Sequence, residues 1–454
     1  MSSIKWLRKQ MPVKGLSLCL IFWCSVALAS PTEYPNAPTE TDYKKVSPIR
    51  AKLGQLLFFD PILSGDKNIA CATCHHPNFG TSDGISLAIG EGGKGLGPDR
   101  RYGFGNNAPE QRIGRHAPTL FNLGASEFRT LFHDGRLEIE GTRVSGFRTP
   151  LDDDMVNNFD GALSAQAMFP VLSGDEMAGH YSENEIAKAV RIGILTGPNG
   201  AWKKITNRIT EIKEYRVLFR QAYDIPAPNR PIAFTDIANA ISDFIATEFR
   251  SDNSPWDHFV RGKIAISDAA MRGADLFYGK AKCASCHSGK FQTDHDFHAI
   301  SMPQFGPGRN ARFEGHQRDI GRQRVTGKID DAYKFRTPSL RNVALSAPYG
   351  HTGAYPTLTG IIQHHLDPTR SFTAYDFNLA NLPKFGEKNP DDFQIMKNER
   401  DRAEILAANE LEKQTLTTIE INDLVQFLHS LTDKTFINGR LGIPKTVPSG
   451  LAVD

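Results

Sequence analysis

Two copies of Cys-x-x-Cys-His constrain this 454-residue chain more than any other feature: Cys71-Ala72-Thr73-Cys74-His75 and Cys283-Ala284-Ser285-Cys286-His287. The pattern is that of c-type haem attachment, in which two thiols take the haem vinyl groups and the adjacent His ligates iron. A zinc site would need two thiol pairs closing on one ion, and these pairs lie 212 residues apart. A thiol-redox pair has no use for a His directly after the second Cys in both copies. The spacing therefore predicts two covalent haems, on Cys71 with Cys74 and on Cys283 with Cys286, with His75 and His287 as the axial ligands that the motifs supply.

The first 29 residues read as a cleaved secretory signal: Lys5, Arg8, Lys9 and Lys14, then the apolar run Leu16 to Leu28, then Ala27-Leu28-Ala29. The apolar run is too short to span a bilayer, and no later segment is apolar enough to do so. Cleavage removes Cys19 and Cys24, so the four remaining cysteines all belong to the haem motifs. It also removes four cations and no anions from a net charge of +2, leaving −2. That balance offers no basic face for nucleic acid. Export with c-type haem points to a bacterial periplasm.

Around the two motifs the chain repeats itself. Gly54-Gln55-Leu56-Leu57-Phe58 is echoed by Gly273-Ala274-Asp275-Leu276-Phe277, and Pro118-Thr119-Leu120-Phe121-Asn122 by Pro338-Ser339-Leu340-Arg341-Asn342. A third pair is His133-Asp134-Gly135 with His351-Thr352-Gly353. Three echoes in one order predict a mainly α protein built as two cytochrome c-like haem domains by internal duplication. The domains fall at residues 30–253 and 254–440, meeting at the short polar stretch Ser251–Pro255, with a tail at 441–454. Residues 30–50 are polar and Pro-rich and read as a poorly ordered leading arm. The loop 84–105, with eight glycines, contains Gly90-Glu91-Gly92-Gly93-Lys94-Gly95, which matches G-x-G-x-x-G. No helix pattern follows it, so a dinucleotide site is rejected and a flexible surface loop is expected. Two helices are legible: one capped by Thr235 with Ile237, Ile241, Phe244 and Ile245 inward, and one opened by the capping box Thr417-Thr418-Ile419-Glu420. Residues 372–415 carry no readable motif.

The repeat also locates the far side of each haem. In the second copy Leu358-Thr359-Gly360-Ile361 leads to His365, fourteen residues after His351; in the first, Leu163-Ser164-Ala165-Gln166 leads to Pro170 at the matching place. Register favours His365 as the second ligand over the adjacent His364. One haem would then be closed and suited to electron transfer, the other open to a small oxidant. Beside the open position lie Gln166 and Glu176. A carboxylate there can take the proton from one peroxide oxygen and deliver it to the other, making water the leaving group.

These residues resemble the bacterial di-haem cytochrome c peroxidase family, its MauG-like branch included, from Leu53 to Asp433. The likeness rests on both haem motifs, Ala117–Asn122, Asp134-Gly135-Arg136, Gln166/Pro170/Glu176-Met177, Ser254-Pro255, Thr337–Asn342 and Ala347-Pro348-Tyr349. It implies a peroxidatic N-terminal haem, an electron-transfer C-terminal haem and a calcium ion between them. It also implies that Glu176 is the acid–base carboxylate and Gln166 its pocket neighbour. Four departures stand out. His365 replaces the family's Met, or Tyr in the MauG-like branch. No His occurs in residues 77–115, where many family peroxidases hold one that caps the resting iron. His133 replaces the Trp at the inter-haem position. His116 replaces the calcium-binding Asn, leaving the carbonyls of Ser346 and Pro348 as calcium candidates. About twenty extra residues between Arg136 and Gln166 read as a surface insertion.

The expected activity is reduction of hydrogen peroxide with electrons from a small cytochrome c or cupredoxin. A MauG-like oxidase acting on a partner protein is the alternative, and a di-haem electron carrier the third reading. The sequence is compatible with a homodimer and names neither the donor nor a protein substrate.

Overall fold

Gly54 and Gly273, which open the first pair of echoes, both sit at close helix crossings. The computed structural model describes residues 34–454 apart from 106–107, 182, 224–229, 309–316 and 385–390; the expected signal sequence, 1–29, lies outside the described residues. A Cβ on Gly54 would come within 1.8 Å of the Ala240 carbonyl oxygen, and one on Gly273 within 2.0 Å of the Asp423 carbonyl oxygen. Helix α1 (Pro48–Phe59) therefore lies directly on α2 (Phe234–Glu248), and α3 (Asp268–Tyr278) directly on α5 (Thr418–Ser430). Between them in sequence runs α4 (Leu358–Leu366). Because the obstruction is backbone, neither crossing can relax around a methyl group. Gly54→Ala and Gly273→Ala should each cost about 2–3 kcal/mol, read as a lower urea midpoint; unchanged midpoints would contradict these crossings.

The predicted helix stripes face inward. Ile237, Ile241, Phe244 and Ile245 of α2 are buried; of the stripe Ile421, Leu424, Val425, Leu428 and Leu431 expected in the second legible helix, the three leucines are buried and Ile421 and Val425 half-buried. Thr417 and Glu420 form the expected reciprocal cap: Oγ1 of Thr417 accepts from the Glu420 N–H at 3.3 Å, and Oε2 of Glu420 from the Thr417 N–H at 2.7 Å. Thr235, by contrast, is not a cap. The helix starts two residues earlier, at Phe234 behind Ala233, whose N–H donates to Asp236 at 2.9 Å. A carboxylate at the third helical position outcompetes the hydroxyl inside the turn.

Two hydrophobic cores result. The first gathers Phe58, Phe59, Phe244 and Phe249; the second gathers Trp256, Phe277 and Phe427. The boundary stretch between them is held, not free. Asn122 and Asn342, both left-handed at φ +60° and +58°, converge on buried Ser251. Asn122 donates to the Ser251 carbonyl at 3.0 Å and accepts its N–H at 2.8 Å; Asn342 accepts from the Ser251 hydroxyl at 3.2 Å.

Two other expectations need correction, the poorly ordered arm and the flexible glycine-rich loop. The arm is fixed from Tyr34 on: that ring packs on Trp256 at 5.1 Å, and its hydroxyl donates to Asp275 at 2.5 Å. The tail folds back on the first core, with Val447 buried and Ser449 donating to Asp60 at 2.7 Å. The glycine-rich loop is largely interior. Ile85, Leu87, Ile89 and Glu91 are at most 1% exposed, because Arg100 runs through the loop and donates to the carbonyls of Ile89, Gly90 and Gly95. A buried guanidinium satisfied by carbonyls supplies the order that composition concealed.

Strands are few. The insertion after Arg136 forms part of a three-stranded antiparallel sheet, β1 (Thr130–Leu131), β2 (Leu137–Ile139) and β3 (Phe147–Arg148). A second sheet pairs β4 (Phe297–His298) with β5 (Phe335–Arg336). The β1–β2 turn carries His133, Asp134, Gly135 and Arg136.

Candidate haem sites

The four motif cysteines are free of disulfides. Burial pushes the thiols of Cys71, Cys74 and Cys283 up to about 12. Redox-active thiol pairs have lowered values, so these cysteines are poor candidates for thiol exchange. Each motif His is oriented by a carbonyl just downstream. Nδ1 of His75 bonds Thr81 O at 3.0 Å, and Nδ1 of His287 bonds Gln292 O at 3.2 Å. A carbonyl can only accept, so Nδ1 carries the proton and Nε2 keeps its lone pair for a metal. Burial lowers both rings, His287 to about 4, so both are neutral at neutral pH.

Opposite His287 stands His365, its ring centroid 6.2 Å away. Two metal–nitrogen bonds of about 2 Å each, plus roughly 1.1 Å from nitrogen to centroid in each ring, need about 6 Å. Nδ1 of His365 donates to Ile361 O at 2.8 Å, again leaving Nε2. His364 is differently placed. Its Nε2 donates to Ile300 O at 2.8 Å and its Nδ1 accepts from the Tyr355 hydroxyl at 2.9 Å, so both nitrogens are spent on protein.

At the first site, Gln166 ends the short helix Ala162–Gln166, Pro170 begins the next turn, and Glu176 sits in the single π-helical turn Gly174–Ala178. Ser173 caps that turn, accepting from the Glu176 N–H at 3.3 Å. Glu176, His75, His287 and His365 all lie deep in the protein yet keep some accessible surface. That combination marks side chains lining internal spaces and suits residues around a prosthetic group. Burial raises the Glu176 carboxyl above its ordinary value, against the opposing charges of Arg136 and Arg115.

The two echoed histidines enclose Phe335 of β5. His133 stacks on it at 5.6 Å and His351 at 4.1 Å. Asp319 anchors the stack, 3.1 Å from Nε2 of His133 and 3.0 Å from Arg115. Burial opposes its ionisation, but His133, Arg115 and His351 outweigh that and hold its carboxyl well below the usual carboxylate range. Next to Phe335, Arg336 is deeply buried, and burial pushes its guanidinium down to about 10. Its side chain donates to the carbonyls of Phe132 and Thr337, which balance none of its charge. Sequence reasoning missed Phe335, Arg336, Asp319 and Arg115. The first two adjoin the Thr337-Pro338-Ser339 echo, which was the available signal.

The di-haem cytochrome c peroxidase family model matches residues 48–265. The chain belongs to that family. Membership implies an oxidoreductase carrying two c-type haems. Among similar proteins, the methylamine utilization protein MauG of Methylorubrum extorquens is 28% identical over 78% of this chain and 80% of its own. The cytochrome c peroxidase Ccp of Escherichia coli is 30% identical over 73% of this chain and 56% of its own. The cytochrome c551 peroxidase of Pseudomonas aeruginosa is 27% identical over 70% and 72%. The fold is that of solved relatives. A MauG-like protein associated with microbial copper homeostasis superposes with a TM-score of 0.57 at 24% identity, covering 91% of this chain and 96% of its own. The di-haem peroxidase BthA of Burkholderia thailandensis gives 0.56 at 20% identity, covering 90% and 91%.

At the family's inter-haem calcium position His116 brings no oxygen, and both its nitrogens are engaged, Nδ1 with Ile85 O at 2.8 Å and Nε2 with the Ser82 hydroxyl at 3.0 Å. A calcium ion there would have the Ser346 and Pro348 carbonyls from the candidate set and would draw the rest of its six to eight oxygens largely from water.

Proposed function

We propose that the protein is a periplasmic peroxidase that reduces hydrogen peroxide to water with electrons from a small cytochrome c or cupredoxin. The observation carrying this reading is the asymmetry of the two sites. An imidazole stands 6.2 Å from the His287 ring, whereas the matching register position in the first copy is Pro170, which has no ligand atom. Cys71 with Cys74 and Cys283 with Cys286 would hold the two haems, His75 and His287 would bind from below, and His365 would close the second. Arg336, a buried cation facing only carbonyls, suits a haem propionate. The haem iron supplies the redox centre at which peroxide accepts electrons. Glu176 takes the proton from one peroxide oxygen and returns it to the other, Gln166 neighbours it, and Arg115 and Arg136 keep the pocket positive. The His133–Phe335–His351 stack supplies aromatic contacts at the inter-haem position.

Matched helix crossings at Gly54 and Gly273, and matched left-handed turns at Asn122 and Asn342, support two domains from one duplicated unit, residues 30–253 and 254–440. No helix among the described residues is long and apolar enough to cross a membrane. The export signal at 1–29 supports a periplasmic home. The similarity to MauG proteins, together with His365 in place of Met, favours a second reading, oxidation of a partner protein by the same centre.

Electron paramagnetic resonance of the fully ferric protein tests the asymmetry. One high-spin and one low-spin haem are expected, with the high-spin signal lost on one equivalent of hydrogen peroxide. Two low-spin haems indifferent to peroxide would overturn the open first site and favour an electron carrier.

A further inference from the structure

Glu91 is a buried carboxylate that the peroxide chemistry does not use. Its side chain is 1% exposed; Oε1 accepts from Asn68 Nδ2 at 2.6 Å, while Oε2 has no hydrogen-bond partner. Carboxylate oxygens of Asp66, Glu91 and Glu183 all lie within 4.8 Å of one another. Beside them Oδ1 of Asn68 is also buried without a partner. Glu91 is buried and Asp66 and Glu183 are half-buried; carboxylates this close repel one another, and a buried oxygen with no donor costs its full desolvation. A cation among them removes both penalties.

We propose that Asp66, Glu91 and Glu183 bind a calcium ion, with Asn68 Oδ1 as a further ligand. The donors are all oxygen, which disfavours zinc and copper, whose sites draw on nitrogen and sulfur. Calcium–oxygen bonds of about 2.3–2.6 Å place opposed ligands up to about 5 Å apart, which accommodates the observed spread. Magnesium keeps several waters and is usually bound through one or two carboxylates; this site offers three and an amide oxygen. The ion ties together three loops around the turn that carries Glu176. The Glu91 N–H donates to Asp175 O at 3.1 Å. Asn184, next to Glu183, donates to Asp66 and to Ala178 O, at 3.0 Å each. Gly65, next to Asp66, donates its N–H to Met177 O at 2.7 Å. The site stands apart from the inter-haem position at Ser346 and Pro348 and does not depend on the peroxide reading.

The test uses the purified holoprotein, stripped with chelator, re-exposed to calcium chloride and dialysed, with calcium counted by mass spectrometry. The wild type should retain one equivalent more than Glu91→Gln, in which Gln keeps the shape and the Asn68 contact. An ion elsewhere would remain in both proteins and leave that difference unchanged. Calcium should raise the melting temperature of the wild type and not that of the variant. In chelator, Glu91→Gln should melt at or above the wild type, because one repelling charge is gone, and this also shows that the variant is folded. Asp66→Asn should repeat the loss. Equal calcium content in wild type and variants, or a melting temperature of the wild type indifferent to calcium, would overturn the proposal. An equal rise with magnesium would overturn the choice of calcium.

Discussion

Glu176→Gln is expected to cut hydrogen peroxide turnover by about 10²–10⁴-fold while leaving both haem spectra in place. The amide preserves the size of the side chain but cannot take the proton from one peroxide oxygen or return it to the other. The same substitution should stabilise the protein once that carboxyl is ionised. Burial raises the Glu176 carboxyl in the folded state, with Arg136 and Arg115 opposing only in part. A raised acid favours folding only while it is protonated. Its contribution is fully present below the unfolded value of about 4.3 and is lost as pH rises through the folded value. Above the folded value the wild type carries an ionised carboxylate at a cost that the glutamine variant does not. The variant should melt higher there, and the advantage should vanish near pH 4. Turnover by the wild type should fall as acid protonates the base, along a limb set above the ordinary carboxylate range, and the variant should lack that limb. Steady-state rates and thermal melts across pH read all of this. A variant with wild-type turnover would remove Glu176 from the mechanism and return the chain to the electron-carrier reading.

What the chain revealed before folding follows from what covalent chemistry and periodicity can encode. Cys-x-x-Cys-His is contiguous because the thiols and the imidazole must meet one planar group, so both motifs and their histidines were readable. The stripes of α2 and α5 were readable because core packing demands a helical period. The place of His365 was readable because Leu358 to His365 repeats the spacing of Leu163 to Pro170. The glycine-rich loop was misread because the order there comes from one long-range cation, Arg100, whose partners are carbonyls and leave no mark on composition. Phe335, Asp319 and Arg115 went unseen for a related reason: they come from distant segments and meet only in the folded chain. Glu91 was passed over as part of a failed nucleotide motif. Its significance lies in Asp66 and Glu183, which are 25 and 92 residues away in the chain.

His365→Ala is expected to convert the second haem from low spin to high spin, and His365→Met to keep it low spin while raising its potential. The basis is the 6.2 Å separation of the His287 and His365 rings and the Ile361 carbonyl that leaves Nε2 of His365 for a metal. Alanine removes that nitrogen, and both nitrogens of the neighbouring His364 are already spent on protein. Methionine restores a ligand atom but exchanges an imidazole for a thioether, and thioether ligation favours the reduced iron. The shift should fall within the ~0.8 V span that axial ligands set, and a redox titration followed at the haem bands reads it. The control is His364→Ala. Its ring bridges the Tyr355 hydroxyl and the Ile300 carbonyl, so its loss strands two buried polar groups at about 1–3 kcal/mol each. That variant should unfold more easily with its haem spectrum unchanged. If His364→Ala changed the spin state and His365→Ala did not, the two histidines would have to exchange roles. If neither did, the second haem would be closed by a group outside α4. A low-potential second haem next to an open first one would hold electrons ready for peroxide without waiting for a capping ligand to leave, and the methionine variant tests that coupling by weakening the drive while leaving Glu176 untouched.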